Sequence, residues 1–374
     1  MIKKLLSGLD ESAFLRRHWQ KKPLLARQAL PDCAGLLTRD TLFELATRDD
    51  VQSRLVIRNR GHWRVEHGPF LKRDFARLPK TRWTLLVQGV NHVLPQAQEL
   101  LLEFAFIPYA RLDDIMISYA PPGGGVGPHF DSYDVFLLQL SGTRRWQVSA
   151  QRNLSLIENA PLRILSRFRP QHEWLLAPGD MLYLPPRYAH DGIAVDDCLT
   201  CSIGFRAPGA QELGTRFLEF LQDRLALEGM YCDPDLKPQR HPAEIGSPML
   251  QQMQQMIGRI RWHERDIVQF AGQYLTEPKP HIVFGRPYRP LTPTAFAARA
   301  ARQGVRLALK TQMLYHGRQL FINGERCEAG KETARILLRL ADRRRLPPCS
   351  AVGDEAGRWL YQWYRAGYIE LDRS

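Results

Sequence analysis

Two imidazoles and one carboxylate are the residues most able to do chemistry in this sequence. His129 and Asp131 stand two apart in GPHFDSYDVFLLQL, and His190 follows 59 residues after Asp131 in PGDMLYLPPRYAHDG. On a strand or strand end, residues i and i+2 share a face, so His129 and Asp131 can reach one ion together. Two imidazoles and a carboxylate on one side of a metal leave adjacent positions open, the donor set of non-haem Fe(II) oxygenases. Cysteine is absent from both runs, which disfavours a structural zinc. A bare His-x-Asp is commonplace and usually marks surface polarity. The glycine-rich GGGVGP before it, the apolar DVFLLQL after it and a histidine behind a PGD…P turn make it a candidate metal site.

Two further groups fit that chemistry. Arg144 lies in SGTRRW, 15 residues after His129, where the next apolar run begins. An oxygenase of this type needs a deep cation for the distal carboxylate of 2-oxoglutarate, and a guanidinium binds carboxylate through two parallel hydrogen bonds. Arg145 points the opposite way if the strand is regular. In the run Asp113–Ala120, Asp114, Met116 and Ser118 share one face by alternation. A carboxylate on a buried face is costly unless paired. Asp114 therefore reads either as a surface acid at a strand edge or as a carboxylate awaiting a cationic substrate. In the second reading Met116 is an apolar wall and Ser118 a hydroxyl for the cosubstrate.

The elements that must position these groups follow from pattern. From Ile115 to Phe205, short runs rich in Val, Ile, Leu, Tyr and Phe alternate with Gly/Pro punctuation, which predicts an antiparallel sandwich or barrel. Ahead of it, helices are expected at Asp40–Ala46 and Gln96–Phe104. Ala207-Pro208-Gly209 is a breaker. Beyond it, Leu213, Phe217, Phe220, Leu221, Leu225 and Leu227 approximate helical spacing, and Ser247-Pro248 starts a second helical stretch. The Met and aromatic stripe there suits a core or a self-association face. A proline-rich stretch then leads to two strands joined at His316-Gly317, a basic helix, a helix holding RWLYQWYRAG and a short strand, a winged-helix-like pattern. The domains are thus expected at 1–207, 208–276 and 277–374.

Composition narrows the class. The chain has 374 residues, 52 Lys plus Arg against 39 Asp plus Glu, and a net charge of +13. That charge points to an anionic partner such as RNA, a ribosome or DNA, although many proteins use it only for solubility. No apolar run reaches the roughly 18 residues a membrane span needs, and the N-terminus lacks a signal-peptide pattern. Six cysteines are too sparse for a disulfide framework. A cytoplasmic, reducing setting without membrane association is the expectation. Cys198 and Cys201 fall at i and i+3 of one strand and should face opposite sides. His172, His263, His281 and His316 lack ligand-spaced companions. Arg343-Arg344-Arg345 ends a helix, where cations suit the dipole.

SYAPPGGGVGPHFDSYDVFLLQLSGTRRWQV together with PGDMLYLPPRYAHDG resembles the Jumonji-C ribosomal oxygenases, most closely their bacterial arginine-hydroxylating branch. The resemblance spans the chain. It implies an α+β protein with a cupin-type double-stranded β-helix barrel, a helical dimerisation domain and a C-terminal winged-helix-like domain. It implies Fe(II) on the catalytic residues His129, Asp131 and His190, with O2 and 2-oxoglutarate as cosubstrates, the latter held by Arg144 and Ser118. Asp114, Met116 and Tyr133 match positions lining a substrate-arginine pocket. The implied reaction hydroxylates the β-carbon of an arginine in a large-subunit ribosomal protein of the uL16 type and releases succinate and CO2. A homodimer is implied, and direct nucleic-acid binding is left open. The competing readings are histidyl hydroxylation of a ribosomal protein, a cupin-sensor regulator that binds nucleic acid, and a non-catalytic metal-binding cupin.

Overall fold

Alternation along the apolar runs sorts side chains into two cores. In a computed structural model, residues 2–59, 61–348 and 354–372 are described. The N-terminal strands are β1 (Leu24–Ala26), β2 (Ser53–Asn59), β3 (His62–His67), β4 (Trp83–Val87), β5 (Leu112–Ala120) and β6 (Val135–Ser141). They continue with β7 (Arg144–Ser149), β8 (His172–Leu176), β9 (Met181–Leu184), β10 (Ala189–Ala194) and β11 (Cys198–Phe205). One eight-stranded antiparallel sheet runs β1-β9-β6-β11-β5-β4-β2-β3, and a three-stranded sheet runs β10-β7-β8.

Helices α1 (Ile2–Leu5), α2 (Glu11–Arg17), α3 (Arg39–Leu45), α4 (Lys72–Ala76) and α5 (Pro95–Leu102) precede or interrupt the strands. Phe14, Leu42 and Leu101 from these helices bury against Ile115, Ile117, Phe136 and Leu138 on one face of the large sheet. The intervening residues point the other way. Val135 and Leu137 of β6 meet Trp146 and Val148 of β7 and Leu182 of β9, closing the space between the two sheets. The period of two thus gives each central strand a helix-facing side and a barrel-facing side. This is the expected barrel.

The first hundred residues hold strands that the sequence reading passed over. β2 and β3 form an edge hairpin whose basic residues interrupt the apolar pattern, so pairing rather than composition defines them. β10, AHDGIA, has poor strand residues and is held by its six-residue register with β7, from Ala189 opposite Ser149 to Ala194 opposite Arg144.

Beyond the barrel come α6 (Ala210–Gln222), α7 (Ser247–Ile257) and α8 (Glu264–Thr276). The first is shorter than its apolar spacing suggests, since Leu225 and Leu227 fall past its end and are exposed. The C-terminal part comprises α9 (Pro293–Gln303), β12 (Val305–Leu307), β13 (Met313–His316), β14 (Gln319–Ile322), β15 (Glu325–Cys327), α10 (Lys331–Arg343), β16 (Arg345–Leu346), α11 (Asp354–Ala366) and β17 (Ile369–Leu371). The expected pair of strands continues into a third through Asn323-Gly324, both at positive φ (48° and 86°), the backbone a type I′ turn requires. Arg344 does not lie free at the helix end. It caps α10 in the left-handed region and donates to the carbonyls of Ala308 and Thr311 (3.3 and 2.9 Å). No helix among the described residues is long and apolar enough to cross a membrane.

Candidate active site

His129 and His190 reach each other through backbone before any ion is considered. The His129 N–H donates to the His190 carbonyl at 2.9 Å, and the His190 N–H donates back at 2.8 Å. This isolated antiparallel bridge supplies the extended backbone that the spacing called for, although His129 and Asp131 lie outside the regular strands. The ring centroids are 4.2 Å apart. Each Nδ1 sits 2.9 Å from a carbonyl two residues earlier, Gly127 for His129 and Tyr188 for His190. Donation from Nδ1–H to those carbonyls leaves both Nε2 lone pairs for a metal.

Asp131 Oδ2 stands 3.7 Å from His190 Nε2. One ligand atom from each of the three residues falls within 4.8 Å of the others. Small side-chain rotations would bring such a set onto one ion. His190 is only 2% exposed. Burial, aided by neighbouring His129, lowers its pKa to about 4, so the ring is neutral and can ligate.

The glycine-rich loop explains how the chain reaches this point. A Cβ on Gly124 would lie 2.2 Å from the Trp83 carbonyl oxygen, so only glycine lets the loop pass β4. Gly127 has φ +81° and presents its carbonyl to His129.

A cavity of about 450 Å³ opens between the sheets above these three side chains. It brings together all eight residues singled out from the sequence: the three candidate metal ligands with Arg144 and Ser118, and Asp114, Met116 and Tyr133. Alternation in β7 puts Arg144 inside with Trp146, whose ring lies 5.8 Å from the guanidinium. Arg144 is 5% exposed, and its Nε and one Nη have no hydrogen-bond partner among the described residues. A buried cation with unmet donors is costly unless an anion completes it. Ser118 is paired in register with Thr200 of β11, and its Oγ donates to the Thr200 carbonyl at 3.4 Å. The two-histidine, one-carboxylate set and the unmatched guanidinium fit an iron and a 2-oxo dicarboxylate.

The other end of the cavity is acidic. Asp114 accepts from the Gly89 N–H at 3.2 Å. Burial and then Asp113 raise its pKa, while Lys279 opposes them. Tyr133 stands at the mouth, 39% exposed, and burial followed by the Asp131 charge pushes its hydroxyl pKa up, so it stays protonated.

Lys279 is the wall residue that sequence reasoning missed. It follows α8, far from the barrel in sequence, and its Nζ pairs with Asp113 Oδ1 at 2.8 Å. Nothing in its proline-rich surroundings signals that position. Trp146 was readable in principle from its alternation with Arg144. Arg54 and Thr84 also line the cavity with unpartnered buried polar atoms, from strands that were not foreseen.

Fold and cavity together define an enzyme of the JmjC 2-oxoglutarate oxygenase class. Residues 99–213 match the JmjC domain family, and residues 259–370 match the ROXA-like winged helix. The chain is 35% identical over 322 residues to the "Ribosomal protein uL16 3-hydroxylase" of Escherichia coli (strain K12), covering 84% of this chain and 85% of that one. A crystal structure of E. coli YcfD superposes with a TM-score of 0.85 at 31% identity, over 97% of this chain and 98% of that chain. A second YcfD structure, in complex with cobalt and 2-oxoglutarate, gives 0.83 at 32% identity with the same coverage. The chain belongs to the JmjC ribosomal oxygenases.

Proposed function

We propose that this chain is an Fe(II)- and 2-oxoglutarate-dependent hydroxylase acting on the β-carbon of an arginine in a large-subunit ribosomal protein of the uL16 type. The observation that carries the reading is the single cavity that joins His129, Asp131 and His190 to an unmatched Arg144 guanidinium and a half-buried Asp114. The relative named for uL16 3-hydroxylation and the YcfD complex with cobalt and 2-oxoglutarate support it.

His129, Asp131 and His190 would hold the iron. When bound, the iron couples O2 and the decarboxylation of 2-oxoglutarate to C–H hydroxylation, with release of succinate and CO2. Arg144 anchors the distal carboxylate through paired charge-assisted hydrogen bonds, with Ser118 beside it. That anchoring fixes which end of the cosubstrate faces the metal ligands. Asp114 receives the substrate guanidinium, Met116 walls its aliphatic stem, and Tyr133 closes the mouth. Asp113 is already matched by Lys279, which leaves Asp114 as the carboxylate for an incoming cation. This favours arginine over histidine as the target.

Three functional parts serve this chemistry: the oxygenase barrel at 1–207, a helical part at 208–276 for self-association, and a winged-helix-like part at 277–374. Exposed Leu218, Leu250, Met253 and Ile257 on α6 and α7 support a homodimer through the helical part. A ribosomal-protein substrate supports a cytoplasmic setting for the enzyme.

The test is a single turnover. Protein loaded anaerobically with Fe(II), 2-oxoglutarate and a uL16-type protein is mixed with oxygen, and fragment-ion mass spectrometry follows the arginines. A gain of one oxygen atom on an arginine side chain, matched by succinate, is expected. Absence of both products would remove the hydroxylase reading, and oxygen on a histidine would replace the arginine reading.

A further inference from the structure

More than half of the chain's excess positive charge lies in one short segment. Residues 54–82 carry nine Lys or Arg and two acids, a net of +7 within a chain of +13. The β2–β3 hairpin and the stretch after α4 gather part of this charge around a surface concavity of about 760 Å³. Arg58, Arg64, Arg77 and Arg82 line it together with His62 and Trp63, and no acidic residue does. All four arginines are exposed. Among the described residues only Arg64 has an ion-pair partner, Glu66 at 3.0 Å. Asp74, the other acid of the segment, accepts the Leu71 N–H at 2.8 Å at the start of α4.

Four guanidinium groups around one hollow repel each other, and an anion of matching extent relieves that repulsion. Arginine rather than lysine dominates, which favours planar, bidentate recognition of phosphate. Trp63 adds a half-buried indole with the Arg58 guanidinium 5.2 Å from its ring. Cations that track a backbone beside an aromatic face are what an unpaired nucleic-acid strand uses.

The hollow lies against the glycine-rich loop that leads to His129. The Trp63 ring lies 2.9 Å from where a Gly127 Cβ would stand, and Gly127 holds His129. The Arg82 N–H donates to the Pro122 carbonyl at the start of the same loop (3.0 Å).

We infer that the concavity formed by Arg58, Arg64, Arg77, Arg82 and Trp63 binds single-stranded RNA beside the glycine-rich loop that leads to His129. The assignment of that RNA to the surroundings of a ribosomal substrate rests on the proposed function, whereas the RNA-binding surface itself does not. The full chain is titrated into a fluorescently labelled single-stranded RNA of mixed sequence across a salt series, with poly-glutamate as a competing polyanion. Hydroxylation of a short arginine peptide is measured in parallel.

Affinity should fall with salt with a log–log slope of about −0.7 per phosphate contacted. Arg58→Gln with Arg77→Gln should weaken RNA binding at least tenfold and make the slope shallower, with peptide hydroxylation unchanged. Arg58→Lys with Arg77→Lys should restore most of the affinity. Equal RNA affinity in the double Gln variant and the parent overturns the inference, and so does poly-glutamate binding as tightly as RNA. Arginine-dependent RNA binding by a chain that gives neither succinate nor a hydroxylated arginine with the uL16-type protein supports the surface while removing the hydroxylase reading.

Discussion

Arg144 and Asp114 mark opposite demands within one cavity. The first is a buried cation with unmet donors, and the second is a half-buried carboxylate whose partial desolvation raises its pKa. Hydrogen bonds to charged groups contribute about 1.5–3 kcal/mol each, so Arg144→Met should raise the KM for 2-oxoglutarate roughly tenfold to a hundredfold. Isothermal titration of 2-oxoglutarate into the manganese-loaded protein checks this directly. Asp114→Ala should leave that titration nearly unchanged and lower kcat/KM for the arginine substrate by a similar factor. Equal losses of both ligands in Asp114→Ala would contradict the division of roles. Arg144 was legible because alternation in RRW allows only one of two neighbouring arginines to face inward. Lys279 was not, since its place depends on how the stretch after α8 folds back over the barrel.

The loops and turns that deliver these side chains have their own physical requirements. Gly124 threads past the Trp83 carbonyl with no room for a Cβ. Gly124→Ala should cost about 1–3 kcal/mol through forced backbone shifts, seen as a lower Tm, and should weaken metal binding by displacing His129. The PGD turn before β9 depends on Asp180, which is 2% exposed. Burial works against its charge, yet the N–H groups of Gln28 and Ala177 and the Arg27 guanidinium outweigh it and hold the pKa below the usual carboxylate value. A depressed folded pKa means the ionised form stabilises the fold. That contribution is complete above the unfolded value of about 3.9 and is lost as pH falls through the folded value. Asp180→Asn should therefore lower stability near neutral pH by about 1–3 kcal/mol. Its denaturation midpoint should converge on that of the parent only as pH falls through the depressed folded pKa of Asp180, below which both side chains are neutral.

At the scale of the molecule, the stretch after α8 folds back onto the barrel at the acidic end of the cavity, and α8 packs on the C-terminal sheet. Lys279 from one part neutralises Asp113 of another. Gly272 of α8 lies where a Cβ would sit 2.3 Å from the Phe321 ring of β14, so this helix seats directly on the C-terminal sheet. The outer faces of α6 and α7 leave Leu218, Met253 and Ile257 exposed. If these faces join two copies, Met253→Asp with Ile257→Asp should give a monomer in sedimentation velocity with an intact circular-dichroism spectrum. A dimer that survives both charges would place the interface elsewhere.

The shared face of His129 and Asp131 and the alternating faces of β5 and β7 were set by residue order alone, because strand alternation and metal-donor chemistry act over a few residues. The edge hairpin β2–β3, the bridge between His129 and His190 and the ion pair of Lys279 with Asp113 were decided only in three dimensions. Each joins segments distant along the chain, or relies on pairing that overrides a weak local preference. No local pattern of charge or hydrophobicity records such contacts, and they emerge only when the sheets close.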